Sequence, residues 1–100
     1  MIEKRSLILN PRDNVASVME DVSPGDDVVV KGGNETQVLK AIEKIPFGFK
    51  MATADIALGE AILKYGEVIG RASTDIKKGA LVHIHNIEGA RGRGDLRKEA

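Results

Sequence analysis

The chain has no cysteine and no tryptophan, and its only aromatic residues are Phe47, Phe49 and Tyr65. Without cysteine there are no disulfides, no thiolate metal sites and no cysteine nucleophile. With so few aromatics, the core must rest on Val, Ile, Leu and Ala. Neither sign of charge is in excess: 15 basic and 15 acidic residues give a formal net charge of zero. A dedicated nucleic-acid binder usually carries a basic excess, so no nucleic-acid partner is expected. No apolar run approaches the roughly 18 residues that span a membrane. The stretch from Met1 to Arg5 is charged and lacks the apolar centre of a secretory signal. A cytoplasmic protein with no membrane partner is the expectation. One hundred residues make one small domain, with a modest core and little room for a deep, enclosed active site.

What the chain does have is a repeated turn. Four segments read apolar, two residues, Gly, two residues, apolar: Val22 to Val28 around Gly25, Ile45 to Met51 around Gly48, Ile56 to Ile62 around Gly59, and Ile76 to Val82 around Gly79. In three of them an Asp comes first: Asp21, Asp55 and Asp75. Gly supplies the positive φ of a type II turn, and Asp bonds nearby backbone amides. Pro24 and Pro46 fit position i+1 of such a turn. Any small β protein has Gly turns, but four copies with the same offsets are harder to dismiss. Their irregular spacing excludes a solenoid.

The other elements are read more coarsely. Ser6 to Leu9 is a first strand. Asp13-Asn14 is placed to N-cap a short helix with Val15, Val18, Met19 and Val22 on one face. Asp27 to Lys31 is a strand, followed by a Gly32-Gly33-Asn34 loop. Val38 to Ile45 fits either a helix face or a strand. Gly66 and Gly70 suggest kinked or bulged strands between Lys64 and Ala72. Leu81 to Ile87 reads as the clearest strand. The expected organisation is one domain over residues 1–88 and a flexible Gly/Arg-rich tail over 89–100.

His83 and His85 are the only histidines. On a strand, residues two apart share a face, about 6–7 Å apart at the backbone. Val82 and Ile84 would then point into the core. Two such imidazoles suit a metal, an anion or an acid–base pair, although a third metal ligand would have to come from elsewhere. The bland alternative is the solvated face of an edge strand. Asn86 follows directly. Arg91 and Arg93, separated by glycine, suit a bidentate clamp on a carboxylate, or equally a solvated tail. Lys64 and Tyr65 are candidates for anion binding or proton relay, against ordinary packing and solvation. Lys50 is a weaker candidate of the same kind.

Together these segments resemble a known family. Ile45-Pro-Phe-Gly-Phe-Lys-Met-Ala, Asp55-Ile-Ala-Leu-Gly-Glu-Ala-Ile-Leu-Lys-Tyr-Gly-Glu-Val-Ile-Gly-Arg-Ala, Asp75-Ile-Lys-Lys-Gly and Val82-His-Ile-His-Asn are similar to the SAF domain of altronate and galactarate dehydratases. The resemblance implies a mainly β fold, the β-clip, with short bent strands and one or two short helices. It implies a hydro-lyase that removes water from a sugar acid to give a 2-keto-3-deoxy acid, with a divalent metal, Fe(2+) or Mn(2+), as cofactor. His83 and His85 become the expected catalytic residues and metal ligands. Lys64, Tyr65, Asn86, Arg91 and Arg93 become expected substrate ligands. With Ala100 close behind the tail, the expectation is a separate small subunit, inactive alone. Its partners would be a large catalytic dehydratase subunit and the sugar acid, with self-association left open. A sulfolactate sulfo-lyase small subunit has the same design, and a non-catalytic β-clip assembly module is a further alternative. Many relatives carry His where this chain has Phe49, so no role is transferred to that position.

Overall fold

The computed structural model describes residues 3–32 and 35–89. Nine short strands form two sheets. The first contains β1 (Lys4–Leu7), β2 (Val15–Val18), β3 (Asp27–Gly32), β4 (Glu35–Lys40), β5 (Lys50–Ala52) and β8 (Leu81–Val82), in the order β4-β3-β1-β2-β5-β8. The second contains β6 (Ala61–Lys64), β7 (Glu67–Ala72) and β9 (Ile87–Glu88), in the order β6-β7-β9. β1 and β3 run parallel, and the remaining pairs are antiparallel. The mainly β class is as the sequence implied.

The expected short helix is absent: among the described residues there is no helix. Val15 to Val18 is a strand covered on both sides. Ala16 and Val18 enter a first core with Val22, Val28, Val30, Leu39, Ala41, Ile45 and Met51. Val15, one residue before Ala16 and on the opposite face of the strand, enters a second core with Ala52, Ile56, Ile62, Ala72, Ile76, Ala80 and Val82. A strand buried on both faces loses its polar alternation. That left Val15, Val18 and Val22 free to mimic helical spacing. Val38 to Ile45, read as helix or strand, is strand through Lys40. Gly32 belongs to β3, and Gly33 and Asn34 lie outside the described residues.

The four repeated units are turns, and they work in pairs. Gly25, Gly48, Gly59 and Gly79 all have φ between 87° and 92°. In each unit the residue after the glycine donates its amide back across the turn, to Ser23, Pro46, Ala57 and Lys77 respectively, as a type II turn requires. Pro24 therefore sits at position i+1 as expected, whereas Pro46 occupies position i. The leading apolar residues bridge in antiparallel pairs, Val22 with Ile45 and Ile56 with Ile76. The three aspartates accept amides from across these bridges rather than from their own turns. Both apolar ends of every unit are buried, so the turns are built into the two cores.

Candidate functional site

β6 and β7 are joined by two residues, Tyr65 and Gly66, with φ of 58° and 77°. Positive φ at both positions is the signature of a type I′ hairpin turn. Glycine accepts this readily, but an L-residue such as tyrosine pays about 1–2 kcal/mol for it. The tip is held from outside. Both oxygens of the Asp13 carboxylate are used, accepting from Tyr65 N at 3.0 Å and Gly66 N at 2.8 Å. Asp13 is only 8% exposed. Next to it, Asn14 Oδ1 accepts from Leu63 N at 2.8 Å, and Asn14 Nδ2 donates to the Ala61 carbonyl at 3.0 Å. Asp13 and Asn14, expected to cap a helix, thus fasten the hairpin. A Cβ on Gly66 would fall 2.5 Å from Asn10 Nδ2, so the tip sits tight against this loop. The Tyr65 ring remains exposed, with the Lys64 ammonium 5.0 Å from its centroid. That is cation–π distance.

Lys50 lies on the same side as this tip. Alternation along β5 sends Met51 into the first core and Ala52 into the second, beside Ile62 of β6. Lys50 shares the face of Ala52 and so is directed towards the hairpin. It is half-buried. Burial, and secondarily repulsion from the Lys64 ammonium, holds its pKa below the usual lysine value. Ion pairs between described residues join Arg5 with Glu20 and Lys40 with Asp27. Neither Lys50 nor Lys64 takes part in one. Two ammonium groups within each other's field, one partly desolvated and neither neutralised, suit an anionic ligand.

The histidines do not lie on a strand. β8 ends at Val82, and His83 to Asn86 form a turn closed by Asn86 N donating to the His83 carbonyl at 3.0 Å. The expected strand from Leu81 to Ile87 is thereby corrected. Ile84, assigned to the core by alternation, is 80% exposed. The turn is set by Asn86, which is buried. Its Oδ1 accepts from His83 N at 2.9 Å and its Nδ2 donates to the Leu81 carbonyl at 2.8 Å. The polar side chain that must be satisfied internally breaks the alternation. His83 packs on Phe49, with ring centroids 4.5 Å apart and planes tilted by 52°. His85 is exposed. Phe49 shares the face of Met51, so His83, packed on Phe49, and Lys50 lie on opposite faces of this sheet.

The residues named from sequence therefore form two groups. Lys64, Tyr65 and Lys50 gather at the hairpin, and His83, His85 and Asn86 make a separate turn beside Phe49. Arg91 and Arg93 lie outside the described residues, as does most of the tail assigned to 89–100. Among the described residues no three His, Cys, Asp or Glu side chains cluster as metal ligands. The described part of this chain does not by itself build a site for the implied divalent metal. Sequence reasoning missed Asp13 as a site residue. Its only local signal, an Asp-Asn pair before an apolar run, is shared with helix caps.

A small β-clip domain that presents a cationic hairpin tip and a histidine turn is the class of protein these features define. The chain belongs to the altronate/galactarate dehydratase SAF domain family, whose model matches residues 4–90. It is 42% identical over 74 residues to the altronate dehydratase of Escherichia coli (strain K12), covering 74% of this chain but 14% of that protein. It is 31% identical over 85 residues to the altronate dehydratase of Bacillus subtilis (strain 168), covering 85% of this chain and 16% of that protein. Against the (2R)-sulfolactate sulfo-lyase subunit alpha of Chromohalobacter salexigens the identity is 34% over 73 residues, covering 71% of this chain and 78% of that subunit. The chain thus spans a small part of the dehydratases and most of the sulfo-lyase subunit. No helix among the described residues is long and apolar enough to cross a membrane.

Proposed function

We propose that this chain is the small subunit of a hydro-lyase that dehydrates a sugar acid of the altronate or galactarate type to a 2-keto-3-deoxy acid, with a separate large subunit completing the site. The observation that carries this reading is the unpaired Lys50–Lys64 couple beside Tyr65. A sugar acid offers a carboxylate for the two ammonium groups and hydroxyls for the tyrosine. Elimination requires loss of the proton α to the carboxylate and protonated departure of a hydroxide. Holding the carboxylate between two cations favours the negative charge that develops next to it. His85, exposed in a turn separate from the lysine–tyrosine tip, enters the proposal as a proton-exchanging group for substrate that the large subunit brings to it. His83, seated on Phe49, and Asn86 hold that turn in shape. Arg91 and Arg93 enter the proposal as further carboxylate ligands. The divalent metal, Fe(2+) or Mn(2+), enters it as a property of the large subunit. A cytoplasmic location belongs to the same proposal.

The coverage of 78% of a sulfo-lyase subunit alpha favours a second reading. In it the same cationic tip serves a sulfolactate, also a hydroxy-acid anion, and sulfite is the leaving group. Combining the chain with its large subunit and offering altronate, galactarate and (2R)-sulfolactate separates the two, through formation of a 2-keto-3-deoxy acid or release of sulfite. The small chain alone is expected to be inactive. Full turnover in a complex whose small chain carries both Lys50→Ala and Lys64→Ala would remove the anion-site basis of the proposal. Retained turnover with both His83→Ala and His85→Ala would leave the β-clip as an assembly module.

A further inference from the structure

We infer that Asp13 is a positioning residue: its buried carboxylate holds the Tyr65-Gly66 tip in the left-handed conformation that sets Lys64 and Tyr65 towards their anionic ligand. The inference rests on the functional reading above for what the tip binds, but its geometry stands independently. Tyr65 is the only non-glycine residue with positive φ among the described residues. A strained residue persists only where its surroundings over-determine it, and such residues gather at functional sites. At Tyr65 the surroundings are specific. A type I′ tip directs successive amides to one side, and each meets an oxygen of the same carboxylate, 52 and 53 residues away in sequence.

This bond does more than close a hairpin. Hairpins with such tips normally rely on Asn-Gly or Gly-Gly, which need no external support. Here the first position carries a large ring that is 57% exposed, so its burial does not explain its presence. The ring's contact is with the Lys64 ammonium. Lys64 in turn is the charge that Lys50 feels across the gap between β5 and β6. The chain of contacts runs from Asp13 to the tip backbone, to the Tyr65 ring, to the Lys64 ammonium, and to the cationic field shared with Lys50. Without the carboxylate, the two tip amides lose their acceptor and Tyr65 can relax to negative φ. The ring then swings away from Lys64, and the cations no longer converge.

The test combines spectroscopy on the full chain with kinetics of the complex. In NMR spectra of the chain, the Lys64 side-chain methylene protons should carry a ring-current shift from Tyr65. That shift should be lost in Asp13→Ala and partly kept in Asp13→Asn, which retains one acceptor oxygen, while the Ile45 and Ile76 core amides stay protected. In the complex, Asp13→Ala should lower kcat/KM roughly ten- to a hundredfold, mainly through KM, as expected for misplaced binding groups. In a Tyr65→Ala background the same change should add almost nothing, because its effect passes through Tyr65. An unchanged Lys64 shift in Asp13→Ala, or losses that simply add in the double variant, would overturn the inference. If Asp13→Ala does not fold, Asp13→Asn and its Tyr65→Ala double decide by the same criteria. If the wild-type complex turns over none of the three acids, the lyase reading fails, and the Lys64 shift still decides whether Asp13 orders the tip.

Discussion

Asp55 and Asp75 hold reciprocal places: Asp55 accepts the amide of Lys78 at 2.9 Å, and Asp75 accepts that of Leu58 at 2.8 Å. Each precedes the first apolar residue of its own turn and bonds two residues past the first apolar residue of the other. In the first pair of turns Asp21 follows this rule, accepting Phe47 N at 2.9 Å. The reverse bond is missing for a reason visible in the sequence. The residue in the aspartate position is Lys44, and the position facing it is Pro24, which has no amide hydrogen to give.

This pairing makes a stability prediction. Lys44→Asp alone should not stabilise the chain, since no donor awaits the new carboxylate. Combined with Pro24→Ala it should recover a bond like those of Asp55 and Asp75. The expected coupling in a double-mutant cycle is about 1 kcal/mol, below the usual range for a charged acceptor because these sites are exposed. Urea denaturation of the four variants measures it. A coupling of zero would show that the aspartate–amide bonds contribute nothing net.

Glycine replacement should discriminate between turns that share the same φ. A Cβ at Gly25 meets nothing within 4 Å, whereas one at Gly79 would lie 2.3 Å from the Lys40 carbonyl oxygen. Gly25→Ala should cost about 1–2 kcal/mol from the left-handed backbone alone. Gly79→Ala should cost clearly more, because backbone must move as well. Thermal denaturation of the two variants gives the order.

Asn86 offers a test of structural against ligand roles in the histidine turn. Replacing Asn86 by Ala removes the acceptor of His83 N and the donor to the Leu81 carbonyl in a buried place. A loss of about 2–3 kcal/mol is expected. His85→Ala, at an exposed position, should leave stability within about 0.5 kcal/mol of the parent. If Asn86→Ala is neutral in denaturant, the turn does not depend on the amide.

Lys50 predicts a pH effect of definite sign. Its folded-state pKa lies below its value of 10.5 in the absence of the fold. Between the two the unfolded chain binds more protons, so stability should rise with pH through that window. Below the folded-state pKa the full penalty of the buried charge applies. Lys50→Met should therefore be more stable than the parent near neutral pH, with the difference shrinking as the pH approaches 10.5. On the proposed function, the same variant should also bind a sugar-acid anion less well when combined with the large subunit. Parallel denaturation of parent and variant across the alkaline range is the measurement.

The turns were legible in the sequence because their chemistry is local: glycine at the positive-φ position and apolar residues at fixed offsets announce themselves. Lys64 and Tyr65 drew notice by residue type alone, as groups that bind anions or relay protons; their place at a hairpin tip was not legible, since Gly66 and Gly70 suggested kinked or bulged strands. Val15 to Val18 was not, since two cores on opposite sides of one strand erase the alternation that identifies it. The histidine turn was not, since one buried asparagine amide overrides the apolar run of Val82, Ile84 and Ile87. Asp13 could not be linked to Tyr65 at all. Nothing at either position names a partner 52 residues away.

That separation also bears on how the molecule is made. Ribosomes add about 5–20 residues per second, so the interval between Asp13 and Tyr65 occupies roughly 3–10 s of synthesis. For most of it β2 lacks β5, and throughout it the Asp13 carboxylate lacks the two tip amides. Long-range strand pairing of this kind is intrinsically slow and leaves edges open while it waits. The loop that shapes the lysine–tyrosine tip is translated 52 residues ahead of Tyr65, so the tip takes this form only after Tyr65 and Gly66 have reached the waiting carboxylate.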